Sequence, residues 1–130
     1  MADVARYQIL IVEDDPRMAE MLAKRLALSG YEVRTEGAGE PALRFAAEHR
    51  PDLVILDLRL PDMSGYEVCA KLRRLYHRWD VPILMLTGMD RPIDELRGFA
   101  HGADAYLTKP FSMTELVHTI ALLLEETALT

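Results

Sequence analysis

The sequence predicts an α/β fold in which one parallel sheet carries helices on both faces. Five short runs of apolar and β-branched residues alternate along the chain with five longer segments whose apolar residues recur at helical spacing. The third run, Leu53–Leu56, is apolar throughout, and such runs are typical of parallel strands that are covered on both sides. This alternation of strands and helices favours a doubly wound arrangement.

The predicted strands end next to polar side chains. In chain order the five runs cover residues 7–12, 31–35, 53–56, 82–86 and 103–107. Glu13 and Asp14 follow the first run, and Asp57 directly follows the third. Thr87 and Lys109 come after the fourth and fifth runs. Because the carboxyl ends of parallel strands lie at one edge of a sheet, these side chains should share that edge.

The predicted helices are marked by caps, stops and apolar spacing. Asp15 can cap the first helix ahead of Pro16, Gly30 can end it, and Ser64 can cap the third helix. The weaker second helix is expected over residues 41–49. The apolar residues at helical spacing are, helix by helix, Met18, Leu22 and Leu26; Leu43, Ala46 and Ala47; Val68, Leu72 and Leu75; Ile93, Leu96 and Phe99; and Leu116, Ile120 and Leu123.

Right-handed crossovers restrict the arrangements open to five strand–helix pairs. The natural choice is the flavodoxin-like order 2-1-3-4-5, a five-stranded parallel sheet in a doubly wound (βα)5 domain with helices on both faces. In this order the first and third strands are neighbours, and the topological switch point lies between them. The acids that follow these two strands are therefore expected to converge. Residues 1–130 are expected to form a single domain.

The composition argues against several classes of function. The net charge of -6 disfavours general affinity for nucleic acid or anionic membranes. The apolar runs fall far short of the ~18 residues that a membrane span requires, and the N-terminus lacks the pattern of a signal peptide. Cys69 is the only cysteine and cannot form an internal disulfide, so we expect a cytoplasmic protein.

Three acids at the switch point form a candidate metal site. The carboxylates of Glu13, Asp14 and Asp57 would repel one another and bind protons more tightly unless a cation neutralised them. Mg²⁺ prefers oxygen ligands and commonly binds beside phosphate. Glu13 and Asp14 could also be solvated loop acids, but Asp57 on the neighbouring strand favours the metal site.

Further residues suit a phosphoryl group, and each has an ordinary structural alternative. Thr87 could donate its hydroxyl to a phosphoryl oxygen or simply end a strand. Lys109 could reach the site as a point charge or lie at the surface, and Pro110 behind it allows a cis peptide and a tight turn. Tyr106 is as easily a half-buried strand aromatic as a switch.

At these positions the chain resembles the receiver domain of two-component response regulators. The matching segments are ILIVEDDP at 9–16, VILDLRLPDMSG at 54–65, PILMLTG at 82–88 and GADAYLTKPF at 102–111. They occur in the order and spacing of the family and together cover essentially the whole chain. The resemblance implies a phosphorylation-activated signalling switch of a two-component phosphorelay. It would act as a single-domain regulator or as the receiver of a longer protein, such as a transcription factor or a hybrid kinase.

The resemblance also implies roles for the acids at the candidate site. Asp57 would accept a phosphoryl group from a histidine kinase or a phosphotransfer protein. Mg²⁺ would bind Asp14, Asp57 and the backbone carbonyl of Arg59. Glu13 would be a water-mediated or second acidic ligand. The chain would catalyse its own phosphorylation and dephosphorylation at Asp57, and it would not be an enzyme with a separate substrate.

For the output, the resemblance implies a coupled movement behind the phosphoryl group. Thr87 and Lys109 would contact that group, and Tyr106 would turn inward as Thr87 moves. The face formed by the fourth helix, the fifth strand and the fifth helix would then change its binding to an effector, an output domain or a second copy. Gly98 disfavours the fourth helix by about 1 kcal/mol relative to alanine, so we expect this helix to move easily.

Two other functions of related architecture are disfavoured by the same loops. Haloacid dehalogenase-like phosphatases need a second acid two residues after the nucleophile, where this chain has Arg59. An FMN electron carrier needs a first loop rich in Ser, Thr and Gly to hold phosphate. This chain has three consecutive acids there, Glu13, Asp14 and Asp15.

Overall fold

The computed structural model describes residues 6–129, over which five strands alternate with five helices. In chain order the elements are β1 (Gln8–Val12), α1 (Pro16–Leu28), β2 (Glu32–Glu36), α2 (Gly39–Glu48), β3 (Leu53–Leu56), α3 (Gly65–Leu75), β4 (Ile83–Thr87), α4 (Pro92–Ala100), β5 (Ala105–Thr108) and α5 (Met113–Leu129). The predicted third strand matches β3 residue for residue, and the other strands differ from their predicted bounds by one or two residues at one or both ends. Over the described range, no helix has both the length and the hydropathy needed to cross a bilayer.

All neighbouring strands are parallel, and their order in the sheet is β2-β1-β3-β4-β5. The predicted doubly wound (βα)5 topology is therefore confirmed. The register pairs Val12 of β1 with Leu56 of β3. Glu13 and Asp57 come next in each chain segment, so the two acids leave the sheet side by side.

Two apolar cores lie on opposite faces of the sheet, because successive strand side chains point to opposite sides. The core under α2 and α3 includes Leu10, Ala42, Ala46, Val54, Leu56, Val68 and Leu72. The core under α1 and α5 includes Ile9, Ile11, Leu22, Leu26, Ile55, Leu116 and Ile120. Full burial of each Leu or Ile side chain contributes about 1.5–3 kcal/mol, so these cores fix the strand ends firmly in place.

On α2 and α3, two residues expected on the apolar side are exposed instead. Ala47 on α2 lies at the surface, and Leu75 on α3 is 47% exposed. Helix α2 begins at Gly39, earlier than predicted, and its buried side includes Ala42. Leu75 is the last residue of α3, beyond the part of the helix that packs on the sheet, and Cys69 is buried within that part.

Helix α4 carries apolar residues on its outer surface and a glycine on its inner one. The exposed fractions of Ile93, Leu96 and Phe99 are 45%, 65% and 42%. A Cβ at Gly98 would lie 2.8 Å from Sδ of Met85 and 3.1 Å from the ring of Tyr106. Glycine at this position therefore allows α4 to pack closely on the sheet. This packing requirement is separate from the effect of glycine on helix propensity.

Candidate functional site

Three acidic residues meet at the carboxyl edge of the sheet. Carboxylate oxygens of Glu13, Asp14 and Asp57 lie within 4.8 Å of one another, and we call these three residues the acidic cluster. Glu13 and Asp57 are only 5% and 6% exposed, whereas Asp14 is exposed at the rim. The Asp57 amide donates to the carbonyl of Val12 at 3.0 Å, which continues the β1–β3 pairing up to the cluster.

Lys109 reaches the acidic cluster from the end of β5. Its Nζ donates to Oε1 of Glu13 at 2.5 Å and to Oδ2 of Asp57 at 2.8 Å. Its amide donates to the carbonyl of Thr87 at 2.8 Å, and its peptide bond to Pro110 is cis. Burial by itself lowers the pKa of Lys109, but the hydrogen bonds and charges of Asp57 and Glu13 outweigh it, so the pKa is raised. The ammonium therefore stays charged inside the site.

The acidic cluster holds more negative charge than Lys109 can neutralise. Burial raises the pKa of Glu13 more than the hydrogen bonds from Lys109 and the Asp15 amide lower it, and the charge of Asp57 adds to the rise. Three carboxylates facing one ammonium leave an excess of negative charge that a divalent cation would relieve. Hard oxygen ligands in this arrangement fit Mg²⁺.

The loop between β3 and α3 orients Asp57. The Arg59 amide donates to Oδ1 of Asp57 at 3.2 Å, and the backbones of Arg59 and Ser64 form a bridge. The Gly65 amide donates to the carbonyl of Leu58 at 2.9 Å. A side chain at residue 65 would collide with the carbonyl of Asp57, so α3 must begin with glycine. The Arg59 backbone thus lies beside the acidic cluster, and its carbonyl as a metal ligand stays a prediction.

Thr87 and Tyr106 meet at the loop between β4 and α4. Thr87 is fully buried, and its Oγ1 accepts a hydrogen bond from the Met89 amide at 3.3 Å. The Tyr106 hydroxyl donates to the Met89 carbonyl at 2.6 Å. Burial raises the pKa of Tyr106, so the hydroxyl keeps its proton. The two side chains therefore hold the same residue, a link that their spacing in the sequence did not indicate.

Asp62 is a further residue beside the site, and the sequence interpretation gave it no role. Its carboxylate accepts hydrogen bonds from the amides of Gly39 and Glu40 at the start of α2. The one local hint is its place after Pro61 in a turn, where aspartate is common for many reasons. Its partners lie far away in the chain, so only the packed structure identifies them.

Known proteins agree with this geometry. The family model of the response regulator receiver domain matches residues 9–121. The DNA-binding dual master transcriptional regulator RpaA of Synechocystis sp. is 40% identical over 120 residues, which are 92% of this chain and 50% of that protein. The CheY-like response regulator receiver domain protein of Methanospirillum hungatei has a TM-score of 0.90 at 29% identity, over 95% of this chain and 98% of that one. The response regulator TrrA of Thermotoga maritima, solved with Mg²⁺–BeF, has a TM-score of 0.80 at 35% identity, over 90% and 98%.

The sheet is doubly wound and parallel, and buried acids and a lysine side chain meet at its switch point. These features place the chain among α/β domains that have an acidic pocket at the carboxyl ends of their strands. Within that class, the chain belongs to the response regulator receiver domain family, as the match over residues 9–121 shows. The family resemblance of the sequence is thereby confirmed. The chain spans about half the length of its curated relative RpaA.

Proposed function

We propose that this receiver domain is a phosphorylation-controlled switch in which Asp57 accepts a phosphoryl group from the phosphohistidine of a histidine kinase or a phosphotransfer protein. The observation that carries the proposal is the Lys109 ammonium, bonded to both buried acids of the acidic cluster at 2.5 and 2.8 Å. A structural ion pair would need one acid for one base. Here the extra carboxylates leave acidic oxygens available to bind a metal beside the nucleophile.

The chemistry of the transfer follows from these groups. A carboxylate oxygen of Asp57 would form a bond to phosphorus, and the bond from phosphorus to the donor's imidazole nitrogen would break with its electron pair moving to that nitrogen. Lys109 would place positive charge beside the phosphoryl oxygens, and Thr87 would donate its hydroxyl to one of them. The Arg59 amide keeps the nucleophile oriented through Oδ1 of Asp57.

Mg²⁺ is the cofactor we propose for this site. Asp14, Asp57 and the Arg59 carbonyl would hold it, with Glu13 as a water-mediated or second acidic ligand. When bound, the ion would neutralise charge on the transferring phosphoryl group. The Mg²⁺–BeF complex of the similar protein TrrA supports this choice of metal.

The proposed output is a change in binding at the face formed by α4, β5 and α5. Thr87 and Tyr106 share Met89 as a partner, so movement of Thr87 toward a phosphoryl group would alter the Tyr106 contact. Among the side chains of the two helices that the structure describes, the large apolar ones that are exposed are Ile93, Leu96, Phe99 and Leu122. They suit an effector, an output domain or a second copy that binds on phosphorylation. The DNA-binding relative RpaA supports an output domain that contacts DNA outside the receiver.

Hydrolysis of the acyl phosphate would return the switch to its resting state. Water would attack phosphorus in line with the Asp57 oxygen and release inorganic phosphate. Arg59, which is exposed, and Met89, which is half-buried, flank the pocket and would tune this rate. Both steps occur on the chain itself, so the proposal does not include turnover of a separate substrate. The cytoplasmic location expected from the sequence stays a prediction.

Intact-mass measurement after incubation with acetyl phosphate tests the proposal. With Mg²⁺ present, we expect wild type to gain one phosphoryl group and Asp57→Asn to gain none. The control Asp80→Asn makes the same change of charge at an exposed loop position and should behave as wild type. A phosphoryl gain in Asp57→Asn would contradict the proposal. So would no gain in wild type with either acetyl phosphate or a phosphohistidine donor.

A further inference from the structure

The loop between β3 and α3 is fastened to the first turn of α2 by Asp62. Its Oδ1 accepts from the Gly39 amide at 2.7 Å, and its Oδ2 accepts from the Glu40 amide at 2.8 Å. Ala38 stands at the cap position of α2, and an alanine side chain cannot accept a hydrogen bond. Asp62 therefore caps α2 from a distant part of the chain. These two bonds lower the pKa of Asp62, so its carboxylate is ionised at neutral pH.

Close packing at the same junction adds a second connection. Gly39 is buried, and a Cβ at this position would lie 2.5 Å from Cγ of Met63 and 2.8 Å from Cγ2 of Val68. The backbone of α2 thus lies directly against the residue that follows Asp62. The tip of the loop is held both by hydrogen bonds and by contact with the α2 backbone.

The base of this loop contacts Asp57, the proposed phosphoacceptor. The Gly65 amide donates to the carbonyl of Leu58, and the Arg59 and Ser64 backbones pair across the loop. The loop is therefore closed at its base and anchored at its tip. Arg59 lies on the closed segment, where its amide donates to Oδ1 of Asp57 at 3.2 Å. A change at the tip should be transmitted to Arg59, because few freely rotating residues separate the two points.

We propose that Asp62 is a positioning residue for the phosphorylation site, which by capping α2 holds the Arg59 backbone in place against Asp57 and the proposed metal. The inference rests on the proposed function, because the Mg²⁺ site belongs to it. It extends that function, because the first turn of α2 would then influence the affinity of the site for Mg²⁺. Partners that orient the ligands of a metal typically change its affinity by 10–100-fold when they are removed.

Calorimetric titration of the full chain with Mg²⁺ tests the inference. We expect Asp62→Ala to weaken Mg²⁺ binding by about tenfold, at the lower end of the range for such partners. Asp62→Asn should retain part of the affinity, because its single carbonyl oxygen still accepts one of the two amide bonds. In metal-free protein, amide hydrogen exchange at Arg59 should be faster in Asp62→Ala than in wild type.

Asp52→Ala is the matched control. Oδ2 of Asp52 accepts from the Gln8 amide at 2.7 Å, so it is also an aspartate that bonds a distant backbone amide, but at the opposite edge of the sheet. This variant makes the same change of net charge. It should lower the melting temperature without altering Mg²⁺ affinity or exchange at Arg59.

Two results would overturn the inference. One is wild-type Mg²⁺ affinity and wild-type Arg59 exchange in Asp62→Ala. The other is an equal loss in Asp62→Ala and Asp62→Asn that vanishes in about 1 M salt, where the Debye length is about 3 Å, because that pattern indicates a long-range effect of charge. If wild type itself binds no Mg²⁺, the proposed function fails, and Arg59 exchange in the metal-free variants still tests the positioning role separately.

Discussion

Two charged clusters lie at opposite edges of the sheet and are built from similar residue types. At the carboxyl edge, Lys109 bonds Glu13 and Asp57 of the acidic cluster. At the amino edge, Arg73 donates to Oδ2 of Asp104 at 2.6 Å and to two backbone carbonyls, those of Val81 and Gly102, at 2.6 and 2.9 Å. Asp104 also accepts from the first amide of β4 at 2.8 Å. We call Arg73, Asp104 and these backbone partners the arginine clamp.

The two clusters differ in how completely their carboxylates are neutralised by nearby cations. In the arginine clamp, Asp104 pairs with Arg73 at 2.6 Å and also with the more exposed Arg78 at 3.4 Å. Arg73 uses its remaining donors on backbone carbonyls, so the clamp joins α3 to the starts of β4 and β5. In the acidic cluster, three carboxylates lie together and Lys109 bonds two of them, Glu13 and Asp57. A neutralised carboxylate serves to join elements of the fold, whereas surplus negative charge favours binding of a cation, as we propose for the acidic cluster.

Breaking the arginine clamp should have the largest effect, and the effect should fall on stability. Arg73→Met removes the 2.6 Å partner of Asp104 and the donors to two backbone carbonyls, while the exposed Arg78 stays 3.4 Å from Asp104. The free energy of unfolding should therefore decrease by about 3–5 kcal/mol. Chemical denaturation measures this change, with Arg74→Met at an exposed position as the control. Phosphorylation of the folded protein should be unchanged. A loss below about 1 kcal/mol would place the clamp among ordinary surface pairs.

Removing the cation of the acidic cluster should act mainly on chemistry. Lys109→Met should slow phosphorylation by about 10²–10³-fold, because the developing phosphoryl charge loses a donor. Mg²⁺ should bind more tightly to this variant, since the unneutralised charge of the cluster grows. Phosphorylation rates and Mg²⁺ titrations measure the two effects. Lys71→Met, at an exposed ion pair with Glu67, is the control. Weaker Mg²⁺ binding in Lys109→Met would contradict an excess of negative charge in the acidic cluster.

A substitution on α4 tests the packing of this helix against the sheet. Gly98→Ala should lower the free energy of unfolding by about 1–3 kcal/mol, because the added methyl group meets Met85 and Tyr106 in a filled core. Helix propensity alone would predict a gain of about 1 kcal/mol. Denaturation of this variant beside Arg97→Ala, an exposed position on the same helix, separates the two effects. A more stable Gly98→Ala would show that propensity dominates.

The acidic cluster should also respond to pH, with the smallest effect of the four. The pKa of Glu13 is raised above its ordinary value of 4.5, so its contribution to stability is present below that pH and is lost as pH rises through the raised pKa. In metal-free protein, Glu13→Gln should therefore gain stability relative to wild type as the pH rises from about 4.5 to about 7, by an amount on the order of 1 kcal/mol. Denaturation at both pH values measures this gain, and the exposed control Glu48→Gln should show none. A difference that is constant with pH would remove Glu13 from the titrating groups.

The local pattern of the sequence determined the elements and the identity of the acids at the site. Asp15 and Ser64 cap α1 and α3 as predicted, because capping acts between residues only two or three positions apart. The alternation of strands and helices, with right-handed crossovers, leads to the observed strand order. That order brings Glu13 and Asp57 together, so the acidic cluster could be predicted before any contact was known.

Only the tertiary structure decided the contacts that hold the site in shape. Asp62 reaches Gly39 across 23 residues, and Arg73 reaches Asp104 across 31. The tertiary structure also decided that Leu75 lies at the surface, whereas its helical spacing predicted a core position. The periodicity of apolar residues shows which side of a helix or strand is apolar, and it depends only on residues that are close in the chain. Contacts of this kind depend on where whole elements end and how they are placed against each other, and that is settled when the two cores pack on the sheet.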